Sequence, residues 1–547
     1  EPTAATPWLA TGLPAAVVLL SLLGVRISLR RLDRTRRAVW LMRADRLLGI
    51  SRLVIVLGGG LTVVVGGWLP WLRMRIGDLV LVDELLAIMP TVLGLAGTWA
   101  VQHALEVRLR DAIRLRRLDE GRPIWPTPGR GGYVLGQIRL QLGLLGVPIL
   151  AVLGVSEAAR RLVAGAGDAV PAWTADAASI AAAAIIFAFA PLLMRMVLPI
   201  RPMPPGTVRE DLTRMAAATG VRVSDIMLWP THGTLVNAAV IGVLPWLRYV
   251  LLTDAMLEEV PRPALRAVFA HELAHVRHRH VPWLVATVAG MVSLFGAAAA
   301  VPAVALAAGG HDPGGELVGW TAIGGGAVGL LVAGLAFGWV SRRYERQADT
   351  FAVQAMSREP AWAAVDAEAA GPPQVAAVSA VRPPAVLTVG DLQVAAEDQS
   401  GDGSRAEVPG AAEADESSAP PRVRPDAVLA MTAALAATAR LNGVDPNRSS
   451  WRHGSIAWRQ RHLADLVGRP VDALRIDRLM RRLKLGTIVL LVAGVGATAA
   501  VDGWERRLYE TARPEVAAPA GERRTVAPDR GLRQWPIAPR SGGSGDG

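Results

Sequence analysis

The segment His271-Glu272-Leu273-Ala274-His275 sets two imidazoles and a carboxylate at helical spacing. Residues i and i+4 of a helix lie one above the other on one face, so both histidines can reach one cation. Glu272, between them, faces the place where water would be activated, as in a metal-dependent hydrolase. A catalytic zinc takes three protein ligands and keeps one position open, so a third ligand must come from elsewhere. His278 and His280 are the nearest candidates. The pattern that uses a third histidine requires Gly seven residues after the first and the ligand ten after it. Those positions are His278 and Val281 here, so both extra histidines read as a polar, membrane-proximal helix end.

A better candidate lies in Ser341-Arg-Arg-Tyr-Glu345-Arg-Gln-Ala-Asp349. Glu345 and Asp349 are one turn apart and share a helix face. Glu345 can ligate zinc while Asp349 orients a ligand histidine. The same two carboxylates would equally serve to balance the neighbouring arginines at a membrane surface.

The elements that must position these residues are membrane helices. Hydrophobic residues make up 52% of the 547 and the mean hydropathy is +0.33. Apolar blocks at 8–28, 52–72, 79–101, 134–155, 179–199, 282–308 and 317–340 reach the ~20 residues a spanning helix needs. A weaker eighth lies at 485–501. The first block lacks a small-residue cleavage site and reads as a retained span rather than a signal peptide. With no cysteine, disulfides and thiolate metal sites are excluded.

The net charge of +11 is concentrated in the connections 26–46 and 108–130. Cytoplasmic loops carry the excess of Arg and Lys, which puts the N-terminus outside and the metal helix inside. Charge placed this way argues for a lipid bilayer partner and against nucleic acid. Lys484 is the only lysine, and with abundant Ala and Gly this points to a GC-rich bacterial genome and its inner membrane. Asp83 and Glu84 either line a wet cavity in the third span or precede a span that starts near Leu85.

The expected organisation is a five-span N-terminal region (1–200), a protease segment with the metal helix (201–281), a two-span hairpin (282–340) and a third-ligand helix (341–356). An insertion at 357–425, rich in paired prolines, small residues and charge, is expected to be disordered. The domain resumes over 426–484, before the possible span at 485–501 and a disordered tail at 513–547. Within 201–281 the pattern predicts a helix from Asp211 to Thr219 closed by Gly220 and short strands at 221–223 and 225–229. It also predicts a hairpin of 234–242 with 248–253, and the metal helix from Pro261 to His280. The fold class is thus an α-helical multi-span membrane protein, of seven or eight spans. It carries a mainly α zincin-like metalloprotease domain with a small β-hairpin or sheet.

The order of these motifs resembles the integral-membrane zinc metalloproteases, a family that includes the CaaX prenyl proteases and the bacterial HtpX-type heat-shock proteases. The match consists of HELAH, a two-span hairpin, then Ser-Arg-x-x-Glu-x-x-Ala-Asp. Leu235-Val-Asn237-Ala238-Ala-Val-Ile-Gly242 with Arg248-Tyr-Val-Leu-Leu-Thr253-Asp254 is similar to the family's strands ahead of the metal helix. His453-Gly-Ser455-Ile-Ala-Trp-Arg459 is similar to its C-terminal element, with Gly454 where the family has proline. Five spans before the metal helix resemble the CaaX branch more than the four-span HtpX branch.

The resemblance implies one Zn2+ per chain on His271, His275 and Glu345, with Glu272 as general base and Asp349 behind the ligands. It further implies that His453 and Arg459 lie near the scissile peptide and its oxyanion. Asn237 and Ala238 would belong to the strand that holds substrate. The expected activity is zinc-dependent endopeptidase hydrolysis of proteins or peptides at the cytoplasmic membrane face. Two alternatives are a membrane sensor that signals through a metalloprotease domain and a catalytically silent membrane scaffold.

Overall fold

The computed structural model describes residues 6–121, 124–167, 170–171, 173–233, 235–311, 316–358, 421–472 and 474–512. Helices α1 (Thr6–Thr35), α2 (Val39–Val64) and α4 (Val82–Asp119) pack together, with the short α3 (Trp68–Ile76) against them. The apolar block at 52–72 is therefore split: its first part belongs to α2, which is long and apolar enough to span, and its end belongs to α3. It breaks after Val64 because Gly67 takes the left-handed conformation (φ 69°), which costs glycine no Cβ clash. Asp83 and Glu84 open α4 and both pair with Arg73 of α3, at 2.5 and 2.7 Å.

Next come α5 (Arg130–Gln137), a π-helical turn (Ile138–Gly143), α6 (Leu144–Ala166) and α7 (Trp173–Val197). The chain bends by 48° between the first two pieces and α6. Among the described residues, seven helices are long and apolar enough to cross a membrane, or eight if that bent pair forms one span. The seven include the C-terminal helix, so the weak block at 485–501 belongs to a long continuous helix.

The chain divides into two compact units. One comprises Glu1–Ala289 with Leu331–Leu490; the other comprises Gly290–Leu330 with Leu491–Gly547. Within the second unit the backbones approach closely through glycine. A Cβ at Gly325 would meet Ala299 Cβ at 2.6 Å, and one at Gly494 would meet the Gly290 carbonyl at 2.7 Å. This is the close helix packing that small residues permit in lipid.

The first unit holds the sheet and the metal helix. Strands β1 (Arg201–Pro202), β2 (Asp225–Trp229), β3 (Ala238–Ile241) and β4 (Tyr249–Thr253) form one sheet in the order β1-β2-β4-β3. β3 and β4 pair antiparallel, with Val240 opposite Val250, whereas β2 runs parallel to β4. Residues 221–223 form no strand; Val221 instead closes α8 (Thr207–Ala218), its N–H bonding to the Ala216 carbonyl. All five residues of β4 are buried because the strand lies inside the sheet.

Thr253 caps α9 (Asp254–Glu259), its hydroxyl accepting from the Met256 N–H. The metal helix α10 (Arg262–Arg277) follows, with proline in its first turn, where a missing N–H costs nothing. Ala264, Leu265, Ala267, Phe269, Ala270, Leu273 and Ala274 are buried, so one broad face of α10 is sealed into the core. Full burial of a side chain such as Phe269 is worth roughly 1.5–3 kcal/mol. Arg266, 2% exposed, is held by Asp211 of α8 at 2.5 Å.

α10 ends at Arg277 because Arg279 takes a left-handed conformation (φ 56°), and α11 (His280–Ala308) starts immediately after. α12 (Glu316–Arg358) has 43 residues and so runs about 65 Å, twice the hydrocarbon thickness of a bilayer. Its apolar part can span while Glu345 and Asp349 extend past it. The core is completed by α13 (Pro425–Leu441), α14 (Ile456–Ala464) and the N-terminal turns of α15 (Arg475–Ala512).

The expected insertion falls largely outside the described residues, as does the tail from 513. Its two ends belong to the domain. Ser357 and Arg358 close α12, the Arg424 N–H donates to Ser357 Oγ at 3.0 Å, and Val423 bonds to Arg469 and Gly468 at 2.9 Å.

Candidate metal centre

His271 and His275 sit one turn apart on α10, and Glu345 on α12 faces them. One ligand atom from each lies within 4.8 Å of the others, the one such group among the described residues. The two Nε2 atoms are 3.3 Å apart. Glu345 Oε2 is 3.5 Å from His271 Nε2, and its Oε1 is 3.9 Å from His275 Nε2. Two nitrogens bound about 2.05 Å from one tetrahedral zinc would lie about 3.3 Å apart. The donor set and its spacing therefore fit a zinc ion, with Glu345 as third ligand. Glu345 does not balance surface arginines: it is 6% exposed.

Behind these ligands every buried charge has a partner. Asp349, 0% exposed, lies 2.9 Å from His271 Nδ1. It also takes two hydrogen bonds from Arg459, at 2.6 and 2.7 Å. Arg459 is itself buried, with Nη2 3.6 Å from Glu345. Its guanidinium is thus committed to the carboxylates that back the ligands. His453 is half-exposed, and its Nδ1 lies 3.0 Å from Glu345 Oε1.

Gly454 explains why this element departs from proline. Its φ is +75°, and its N–H donates to the Ser450 carbonyl at 3.0 Å. Proline offers neither that conformation nor the N–H. The tight turn of Ser450 to Gly454 carries His453 to the centre.

Burial pushes the Glu272 carboxyl up to about 7, against the opposing pull of His271. A backbone hydrogen bond from Val240 on β3 reaches the same carboxylate. Burial pulls His271 down, but its contacts with Asp349 and Glu345 outweigh that and hold it at about 10. Burial, then the adjacent His271, pulls His275 down to about 4. Without metal, one proton therefore stays on His271 while His275 is neutral.

Asn237 is exposed at the start of β3, its backbone tied to Thr253 at both N and O. Ala238 begins the strand, which is an edge of the sheet. Asp254 shapes the loop before it, accepting from the N–H groups of Thr231 and His232 at 3.0 and 2.7 Å. A cavity of about 770 Å³ opens beside His275, lined by Val240, Ile241, Phe187 and Pro282.

Two histidines depart from the sequence reading. His280 is 2% exposed, and its Nδ1 lies 2.9 Å from His275 Nδ1. Far from decorating a polar helix end, it is buried against His275. His278 is largely covered, with burial lowering it to about 4 and its ring 5.4 Å from Phe351. Spacing rules written for direct ligands cannot detect such support; the signal present was a second histidine cluster just past the helix break. His103 and His311 bond to the carbonyls of Pro128 and Leu306, while His232 packs on Trp125 and His462 on Trp458.

A His-His-Glu cluster on two helices, backed by buried ion pairs and set beside an edge strand among helices able to span a membrane, is the arrangement a membrane metalloprotease needs. Comparison with known proteins points the same way. The family model for Peptidase family M48 matches residues 203–371. A "Protease HtpX homolog" of Aeropyrum pernix is 26% identical over 214 residues, 39% of this chain. The alignment spans 65% of that relative's length. The crystal structure of S. mikatae Ste24p aligns over 85% of this chain and all of that one, with a TM-score of 0.42 and 13% identity. Residues 203–371 are thus similar to peptidase family M48, and they lie among helices long and apolar enough to cross a membrane, as the order of the motifs implied. The family match ends before His453 and Arg459.

Proposed function

We propose that this chain is a zinc-dependent endopeptidase that cuts proteins or peptides at the cytoplasmic face of a bacterial inner membrane. The observation that carries the reading is the convergence of His271, His275 and Glu345 beside the carboxylate of Glu272. Zinc, when held by those three residues, supplies a Lewis acid that polarises the scissile carbonyl and acidifies water. Glu272 takes the proton from the attacking water and passes it to the leaving amine.

Substrate enters extended along the free edge of β3, with Asn237 and Ala238 at its start. The 770 Å³ cavity beside His275 accepts a side chain next to the cut. His453, half-exposed at the rim, turns from Glu345 to donate to the oxyanion. Arg459 serves the same step from behind, by holding Asp349 and Glu345 in register. The inward orientation rests on the Arg-rich connections 26–46 and 108–130.

The test is cleavage of a loosely folded protein by the detergent-purified chain, with and without chelator, beside Glu272→Gln. The expected outcome is full metal content in the variant and turnover reduced about 10²- to 10⁴-fold. A variant that cleaves at the wild-type rate would remove Glu272 from the mechanism.

A further inference from the structure

We propose that His280, Gln347 and Asp477 form a one-way hydrogen-bond relay that fixes the tautomer of His275, and so presents its Nε2 lone pair to the metal. The proposal rests on the metal-centre reading above and adds three positioning residues to it. His280 Nδ1 lies 2.9 Å from His275 Nδ1, and His280 Nε2 lies 3.0 Å from Gln347 Oε1. Gln347 Nε2 donates to Asp477 Oδ1 at 2.9 Å. His280 and Gln347 are 2% and 4% exposed, so water does not substitute for these partners.

The direction of the relay follows from what each group can offer. A carboxylate only accepts, so the Gln347 amide must turn its nitrogen to Asp477 and its oxygen to His280. An amide oxygen only accepts, so the proton of His280 sits on Nε2, leaving Nδ1 as an acceptor. The facing Nδ1 of His275 must then carry a proton, and its Nε2 carries the lone pair. That lone pair faces His271 Nε2 at 3.3 Å, inside the ligand triangle. Reversal at any link would leave two donors or two acceptors face to face in a buried site.

The anchor also assigns work to the C-terminal helix. Asp477 lies in the first turn of α15 and reaches Gln347 across 130 residues of sequence. Two more bonds hold it there: Lys484 Nζ donates to the His278 carbonyl at 3.1 Å, and Thr487 meets Thr287 at 3.0 Å.

The experiment uses the full chain in detergent and reads two quantities. The first is zinc affinity by chelator competition. The second is the His275 tautomer, by ¹⁵N chemical shifts of the metal-free, histidine-labelled protein. His280→Leu removes the acceptor; His280→Asn keeps an oxygen near the place of Nδ1. The wild type should show His275 protonated at Nδ1. His280→Leu should bind zinc about 10- to 100-fold more weakly in its folded fraction, with a lower metal-free melting temperature because His275 and Gln347 lose a buried partner. His280→Asn should recover most of that loss, and Asp477→Leu should fall between wild type and His280→Leu. The proposal is overturned by a wild-type His275 protonated at Nε2, by equal losses in the Leu and Asn variants, or by an unaffected Asp477→Leu. A wild type that binds no zinc would refute the metal centre itself, while the tautomer still decides the relay.

Discussion

The metal centre and the N-terminal helices solve opposite packing problems within the first unit. Around the candidate metal ligands, buried charged groups face one another: His271 with Asp349, Asp349 with Arg459, Arg459 with Glu345. Among α1, α2 and α4 the contacts are made by what is missing. A Cβ at Gly59 would sit 2.0 Å from Thr91 Oγ1, and one at Gly97 would sit 2.9 Å from Val18. Lipid is as apolar as leucine, so those helices gain nothing by hiding apolar surface from it and must associate through close backbone approach. Polar contacts join them as well: Ser21 to Ser51 at 2.8 Å, Arg52 to Thr98 at 3.3 Å, and the ion pair of Arg108 with Asp33. One region is specified by buried charge complementarity and the other mainly by shape.

That contrast predicts different failures. The largest stability effect should come from Asp349→Ala, which strands the buried guanidinium of Arg459. Losing one partner of a buried pair costs about 3–5 kcal/mol, read as a lower unfolding midpoint together with lost zinc. An unchanged midpoint would mean the pair is not the organising contact. Gly59→Leu should overpack the α2–α4 contact by about 1–3 kcal/mol, yet leave the zinc affinity of the folded fraction unchanged. A loss of zinc affinity in that variant would break the separation of the two regions. Gly454→Ala should be milder, about 1–2 kcal/mol for an L residue held at positive φ, with turnover reduced more than zinc affinity because only His453 is misaimed.

A pH titration sharpens the charge side of the comparison. In the folded metal-free chain Glu272 sits near 7 and His271 near 10, both above their usual values. Groups raised on folding contribute stability at low pH and lose it as pH rises through the folded value. Histidines lowered on folding, as His275 and His278 are, act in the opposite sense and gain stability as pH rises toward about 6.5. The metal-free chain should therefore melt at progressively lower temperature only as pH rises from about 7 toward 10. Glu272→Gln should make the melting temperature rise more steeply with pH below about 7, where Glu272 opposes those histidines. The bundle glycine variants should shift the whole curve without changing its shape. A melting temperature that climbs from about pH 7 toward 10 would contradict the His271 assignment.

How much of this was legible beforehand depends on how far apart the interacting residues lie in sequence. His271 with His275, and Glu345 with Asp349, are four residues apart, and the 3.6-residue turn alone puts each pair on one face. The spans follow as directly from apolar run length, and the β3–β4 pairing from two short β-branched runs. The break after Val64 was less visible, because the block reads as apolar through Gly67. The parallel pairing of β2 with β4 depends on a crossover through β3 that no local pattern encodes.

The amino-acid sequence by itself determined that His271 and His275 share one helix face, that Glu345 and Asp349 share another, and which segments can span a membrane, because these rest on helical period and transfer energy, both short-range. Only the tertiary structure decided what stands behind these side chains. Arg459 meets Asp349 across 110 residues, His280 meets Gln347 across 67, and Gln347 meets Asp477 across 130. Such contacts come into being when buried polar groups must find partners inside a packed core. Which partners they find is set by the packing of the core and not by spacing along the chain.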